Sequence, residues 1–205
     1  LVPQATLRLA VDVGCGSGQS SRVLSPYFHL VRAYDLSEAQ IAEAKANNRM
    51  ANLAFSVAGA ECIPEANSSV QLLTAGQSLL WFDMSKFYAE AERVLVPGGV
   101  LAVYAYPTLA PMAEDQAKLD KLVHDVLYTG PGTKYWSDKR KVTDNLYKGV
   151  PLPWDDHVRV DCIEERKVQT VADYVNYIRS WASYQAFLRA EPSEAKSLTT
   201  RLTSV

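Results

Sequence analysis

A chain of 205 residues with 48% hydrophobic and 21% charged side chains has the length for one domain with a good core and the composition of an ordinary soluble globular protein. Its formal net charge of −2 supplies no basic field for a nucleic-acid backbone or an anionic membrane surface, and no apolar run approaches the length of a membrane span. The cysteines, Cys15, Cys62 and Cys162, are odd in number and far apart with no Cys-x-x-Cys pair, which argues against a zinc or dithiol motif and for a reducing cytoplasm.

Strand and helix signals alternate from residue 7 to about 106, the pattern of a doubly wound, mostly parallel sheet with helices on both faces. Residues 7–13 form the first strand and run into Gly14-Cys15-Gly16-Ser17-Gly18, a turn whose backbone N–H groups can approach a ligand with no Cβ in the way. A short helix follows through Arg22-Val23-Leu24 and stops before Pro26. Residues 29–34 form the second strand, closed by Asp35, and Ser37 caps the next helix with Gln40 three residues on in a capping-box pattern. Residues 53–58 and 70–75 are the third and fourth strands. Helix 85–95 carries Phe87, Ala91, Val94 and Leu95 on one face, and Pro97-Gly98-Gly99 ends it before a fifth strand at 100–106.

In such sheets a ligand lies beyond the carboxyl ends of the strands, where the strand order reverses. Those ends are Gly14 to Gly18, Asp35, Gly59-Ala60-Glu61 and Ala75-Gly76-Gln77. Asp12, two residues ahead of the first glycine, would repel a pyrophosphate and hold a cation. A dinucleotide loop would place its third glycine at 19, where this chain has Gln19. Asp35 lies about twenty residues beyond the first glycine, where an acid accepts both ribose hydroxyls of an adenosine, and Leu36 would pack on the adenine face. The competing readings are a purely structural turn at the glycines, a charge favouring the helix start at Asp35, and a solvated Glu61.

Asp12-Val13-Gly14-Cys15-Gly16-Ser17-Gly18 resembles the first motif of the class I S-adenosylmethionine-dependent methyltransferases. Gly59-Ala60-Glu61, Gln77 through Asp83, Phe87-Tyr88-Ala89-Glu90-Ala91, Arg93-Val94-Leu95 and Pro97-Gly98-Gly99 are similar to the branch that includes the trans-aconitate methyltransferases. The resemblance covers residues 9–106 well and the remainder loosely. It implies a Rossmann-like fold in one methyltransferase domain over 1–205, with a cofactor core at 1–106, a lid at 107–157 and a C-terminal strand and helices at 158–205. It further implies S-adenosylmethionine as cofactor, held by Asp12, Gly14, Cys15, Gly16, Gln19, Asp35, Leu36, Ala60, Glu61 and Gln77. The branch commonly places His before the Trp of the fourth-strand loop; here Leu80 precedes Trp81.

Beyond Pro107 an amphipathic helix at 113–127 is broken by Thr129-Gly130-Pro131-Gly132. Residues 133–156 are rich in Tyr, Trp, Lys and Pro; residues 158–163 alternate as a sixth strand; helix 171–190 brings Tyr174, Tyr177, Ile178 and Trp181 to one broad face. Nothing after 190 reads as a final antiparallel strand, and the chain, beginning at Leu1 and ending within a helix, reads as a fragment. The family builds its substrate lid after the fifth strand, so Trp81, Tyr135, Trp136 and Arg140 are the expected acceptor-binding residues, against the alternative that these aromatics simply pack their own segment. His157, beside Asp155-Asp156, lacks metal-ligand spacing and reads as a loop residue.

Methyl transfer from a sulfonium needs alignment in a dry pocket rather than a covalent intermediate. With Leu80 in the place of the expected His, and His29 and His124 away from the cofactor-side strand ends, no general base can be placed. A carboxylate acceptor is ionised at neutral pH and needs none. Three readings stand at this point: a small-molecule methyltransferase, a catalytically silent methyltransferase-like binding module, and a nicotinamide-dependent oxidoreductase, the last opposed by Asp12 and Gln19.

Overall fold

The computed structural model describes residues 7–106, 114–161, 163 and 169–204. Residue 113, the expected start of the first helix after the sheet, and Cys162, within the expected sixth strand, lie outside them. The chain divides into two compact units, one formed by Leu1–Tyr106 with Val142–Pro153, the other by Pro107–Lys141 with Trp154–Val205.

The first unit is an open parallel sheet in the order β3-β2-β1-β4-β5. Its strands are β1 (Leu9–Val13), β2 (Leu30–Asp35), β3 (Leu53–Val57), β4 (Val70–Gly76) and β5 (Leu95–Tyr104), joined by α1 (Gln19–Leu24), α2 (Glu38–Ala46) and α3 (Met84–Val94). β1 is buried from Ala10 to Val13, as a strand covered on both faces must be, and each fully buried valine contributes about 1.5–3 kcal/mol. Ala10, Phe28, Val31, Ala33, Leu53 and Phe55 pack with Ile41 and Ala44 of α2 in one core layer. α3 buries Phe87, Tyr88, Ala91 and Val94 and is started by Asp83, whose side chain accepts from Lys86 N at 3.3 Å.

The fifth strand begins five residues earlier than its sequence signal. Val70 pairs with Leu95 and Leu72 with Val100, so residues 96–99 form an irregularity inside β5, with Gly98 at φ 75. Pro97-Gly98-Gly99 is thus a bulge within the strand rather than a loop before it. Strand order reverses at β1, which lies between β2 and β4. The ligand crevice of an open sheet therefore opens at the carboxyl ends of β1 and β4.

The second unit is helical. It holds α4 (Glu114–Val123), a π-helical turn (His124–Tyr128), α6 (Val171–Ser180), α7 (Ala182–Ala190) and α8 (Pro192–Thr203); the short α5 (Arg140–Asp144) runs from this unit into the first. Leu119, Val123, Leu127, Ile178, Tyr184, Phe187, Leu198 and Leu202 are its buried centre. The single helix expected over 171–190 is two, because Trp181 is extended at φ −69 and ψ 134. Turning there lets its indole meet Tyr177 at 5.4 Å and Trp136 at 5.6 Å between ring centroids. Residues 158–161 and 163 form no strand, and Val158, Val160 and Ile163 are exposed. Among the described residues no helix is long and apolar enough to cross a membrane, and no cluster of His, Cys, Asp or Glu is arranged to hold a metal.

Candidate cofactor site

The glycine turn follows β1 at the reversal point, and its three glycines have different neighbours. A Cβ at Gly14 would lie 2.5 Å from Ser78 Cβ, and one at Gly18 would run into the Phe55 ring, so both positions are closed by this protein's own packing. A Cβ at Gly16 would meet nothing nearer than Gln40 Oε1 at 3.8 Å. Gly16, at φ 54, faces open space that a side chain would fill.

Asp35 closes β2 next to that space. Its Oδ2 accepts from Gly16 N at 2.9 Å and its Oδ1 from Ser37 N at 2.8 Å. The carboxylate therefore ties the glycine turn to the start of α2, and each oxygen retains a lone pair for a further donor. Leu36 follows at 73% exposure, a large apolar side chain presented to solvent at the rim. It borders Gly59, where an added Cβ would be 3.5 Å from Leu36 Cδ2 and 3.3 Å from Glu61 Oε2. Ala60 is buried, and Glu61 Oε1 accepts from Asp83 N at 2.9 Å, which joins the third strand end to the start of α3. Geometry thus brings Gly16, Asp35, Leu36, Gly59 and Glu61 to one rim.

Other expected contacts have different surroundings. Asp12 is 1% exposed, with Oδ2 accepting from Ser21 Oγ at 2.6 Å and Oδ1 from Thr74 Oγ1 at 2.7 Å. It ties β1 to α1 and β4, and burial raises its carboxyl to about 6 in spite of the two hydroxyls. Asp12, expected to meet a cationic ligand, is held by this internal bonding. Cys15 is a core residue whose N donates to Tyr34 O at 3.0 Å, and burial pushes its thiol well above the ordinary range. Gln19 is exposed at the start of α1. Gln77 follows β4 in a left-handed conformation, φ 56, with its N bonded to Tyr104 O at 2.9 Å and its Nε2 to Tyr106 O at 2.6 Å.

The expected acceptor residues divide between the units. Trp81, in the first, ends a short 3-10 turn (Leu79–Trp81) and is 57% exposed. In the second, Tyr135 OH donates to Glu191 Oε1 at 2.8 Å and Trp136 Nε1 to Leu127 O at 2.6 Å. The Arg140 guanidinium stacks 3.5 Å from the Trp136 ring centroid and 4.1 Å from that of Tyr128. These three side chains are engaged in packing their own unit.

Sequence reading passed over Ser21, Thr74 and Ser78, the hydroxyl residues that lock the acid and the turn, because Ser and Thr carry no distinguishing periodicity. It also passed over the segment Val142–Pro153, which belongs to the sheet unit, where Tyr88 OH donates to Pro151 O at 3.1 Å. Nothing in the local composition separates this strap from the lid around it.

Comparison with known proteins accords with this geometry. A family model described as a methyltransferase domain matches residues 11–103. A Dictyostelium discoideum protein named as a methyltransferase is 31% identical over 182 residues, covering 89% of this chain and 67% of that one. Trans-aconitate 2-methyltransferase of Methylobacterium radiotolerans is 36% identical over 113 residues, 53% of this chain and 42% of the relative. A solved structure from Anaeromyxobacter dehalogenans, described as a type II methyltransferase, superposes with a TM-score of 0.69 at 27% identity, over 98% of this chain and 86% of that one.

Proposed function

This chain belongs to the class I S-adenosylmethionine-dependent methyltransferases, and from that membership we propose that it methylates a small organic carboxylate. Membership removes the nicotinamide reading. The observation that carries the site is the open face of Gly16 beside the Asp35 carboxylate, a cradle at the reversal point into which a side chain at 16 would project.

When bound, the cofactor supplies a methyl group on a sulfonium already activated toward in-line displacement. Asp35, fixed by two backbone amides, is suited to accept the ribose hydroxyls, and Leu36 offers an apolar surface for the adenine to cover. Gly16 leaves the backbone accessible between them. Asp12 contributes by holding α1 in place through Ser21 and Thr74.

The carboxylate assignment is supported by what the strand ends offer. Asp12 is buried under two hydroxyls, Glu61 is bonded to Asp83 N, and burial holds Tyr104 above the ordinary phenol range, so it keeps its proton. None of these is set to remove a proton from an amine or a phenol, whereas a carboxylate needs no base. The similarity to a trans-aconitate 2-methyltransferase agrees with this choice.

Incubation with methyl-labelled cofactor and a panel of carboxylic acids including trans-aconitate, phenols, amines and small RNAs tests the assignment. Label is expected in an acid as a base-labile ester. Label in a phenol, an amine or RNA with every acid unreacted would overturn the carboxylate while leaving methyl transfer in place; no label in any acceptor would favour the silent binding module.

A further inference from the structure

The carboxyl ends of β4 and β5 hold a second corner, outside the rim formed by Gly16 and Asp35. Gln77, Leu146 and Tyr147 have φ of 56, 51 and 57, three of the four left-handed non-glycine residues among those described. Bulky side chains rarely adopt this region, and it persists where surrounding bonds over-determine it. In the strap, Leu146 N donates to Thr143 O at 2.7 Å and Tyr147 N to Val142 O at 3.0 Å. These bonds fold Tyr147 back beside Thr143.

The same corner collects polar atoms that have been taken from water without a partner. Gln77 Oε1, Thr143 Oγ1 and Tyr147 OH are buried and make no hydrogen bond, and the remaining such side-chain atom among the described residues is Ser183 Oγ in α7. Tyr147 is 7% exposed, with its hydroxyl turned toward the Thr143 side chain and the Leu79 backbone and with Tyr104 and Tyr106 nearby. Gln77 is bonded to Tyr104 and Tyr106, so the corner is one neighbourhood. Buried hydroxyls are nearly always satisfied, and those of Thr143 and Tyr147 could donate to an oxygen brought by a ligand, whereas Gln77 Oε1 can only accept. Burial pushes the Tyr147 phenol up to about 12, which keeps its hydrogen in place at neutral pH.

Building on the methyltransferase reading, we propose that the hydroxyls of Tyr147 and Thr143 determine acceptor specificity by donating hydrogen bonds to an oxygen of the methyl acceptor. Neutral donors suit an oxygen nucleophile: they orient one carboxylate oxygen without the charge neutralisation that a guanidinium would impose on the other. Arg140, also expected to meet the acceptor, is stacked on Trp136 and Tyr128.

Tyr147→Phe and Thr143→Val test the proposal with whichever acceptor of the panel the parent methylates best. Each variant is expected to raise the acceptor KM about tenfold, the loss of one hydrogen bond. Affinity for S-adenosylhomocysteine should stay within twofold, and the Phe variant should melt at or above the parent's temperature because an unsatisfied hydroxyl has been deleted. An unchanged acceptor KM in both variants overturns the proposal with methyl transfer intact. A fall in melting temperature with equal losses in cofactor and acceptor binding overturns it in favour of a structural role. Should the parent transfer no label, the function fails separately, and calorimetry of the same acids in saturating S-adenosylhomocysteine decides the corner: heat with the parent and none with Tyr147→Phe sustains it, and no heat with the parent overturns it.

Discussion

Replacing Gly16 with valine would place a branched side chain in the open space beside Asp35, whereas alanine at Gly18 would collide with Phe55. Gly16→Val is therefore expected to abolish binding of S-adenosylhomocysteine while costing about 1–2 kcal/mol of stability for its left-handed backbone. Gly18→Ala should cost more stability than that. Calorimetry paired with thermal melts separates the two, and equal losses of affinity and stability at Gly16 would contradict the cradle. Asp12 offers a second residue-scale test. Its carboxyl sits at about 6 in the fold against an ordinary 3.8, so the folded state favours the protonated form. Stability from this group is complete below about pH 4 and is lost as pH rises through 6, a cost of about 3 kcal/mol at neutrality. Asp12→Asn removes the titration. Urea melts should show its stability relative to the parent improving from pH 4 to pH 7.5; a difference independent of pH would show that Asp12 titrates normally.

At the scale of elements, two joints position the site. Asp83 starts α3 through Lys86 N, and its own N is bound by Glu61 Oε1, so the third strand end and α3 share one cap region. Asp83→Ala should cost about 1 kcal/mol, the usual loss of an N-cap, read as a lower melting temperature with cofactor affinity within twofold of the parent. The backbone bond to Glu61 survives that substitution. A large loss of cofactor affinity would mean that α3, rather than Glu61, orders the third strand end. The break at Trp181 is an element-scale outcome of another kind. Residues 171–190 contain no glycine or proline, and tertiary ring contacts, not local propensity, end α6 there.

Considered as a whole molecule, the chain has two separately packed centres, and the proposed cofactor site is built from the sheet unit alone. Ligand binding adds its free energy to the state that forms the site. S-adenosylhomocysteine at a hundred times its Kd should add about 2.7 kcal/mol to the global opening that exposes this site. Amide hydrogen exchange of β1 and β2 is expected to slow accordingly, near Cys15 and Gly16 above all. Exchange unaltered in those strands at saturation would place the ligand elsewhere.

The alternation of strand and helix signals over 7–106, with the apolar run of 9–13 and the three glycines after it, sufficed to establish the parallel sheet and the turn that closes its first strand, because backbone sterics and strand burial are written into local residue types. The same is true of α2 and its Ser37 cap, and of the apolar face of α3. Where local chemistry is satisfied in more than one way, tertiary structure decided. An acid two residues before a glycine turn can meet a ligand or hydroxyls of its own fold, and only the approach of Ser21 and Thr74 turned Asp12 inward. Alternation at 158–163 describes a strand only if a neighbour pairs with it, and the described residues there have no ladder. Aromatic content marked 133–156 as one segment, yet Tyr135 and Trp136 pack with the helices while Val142–Pro153 packs with the sheet. That division depends on contacts between residues far apart in the chain, such as Tyr88 with Pro151, which no local pattern encodes.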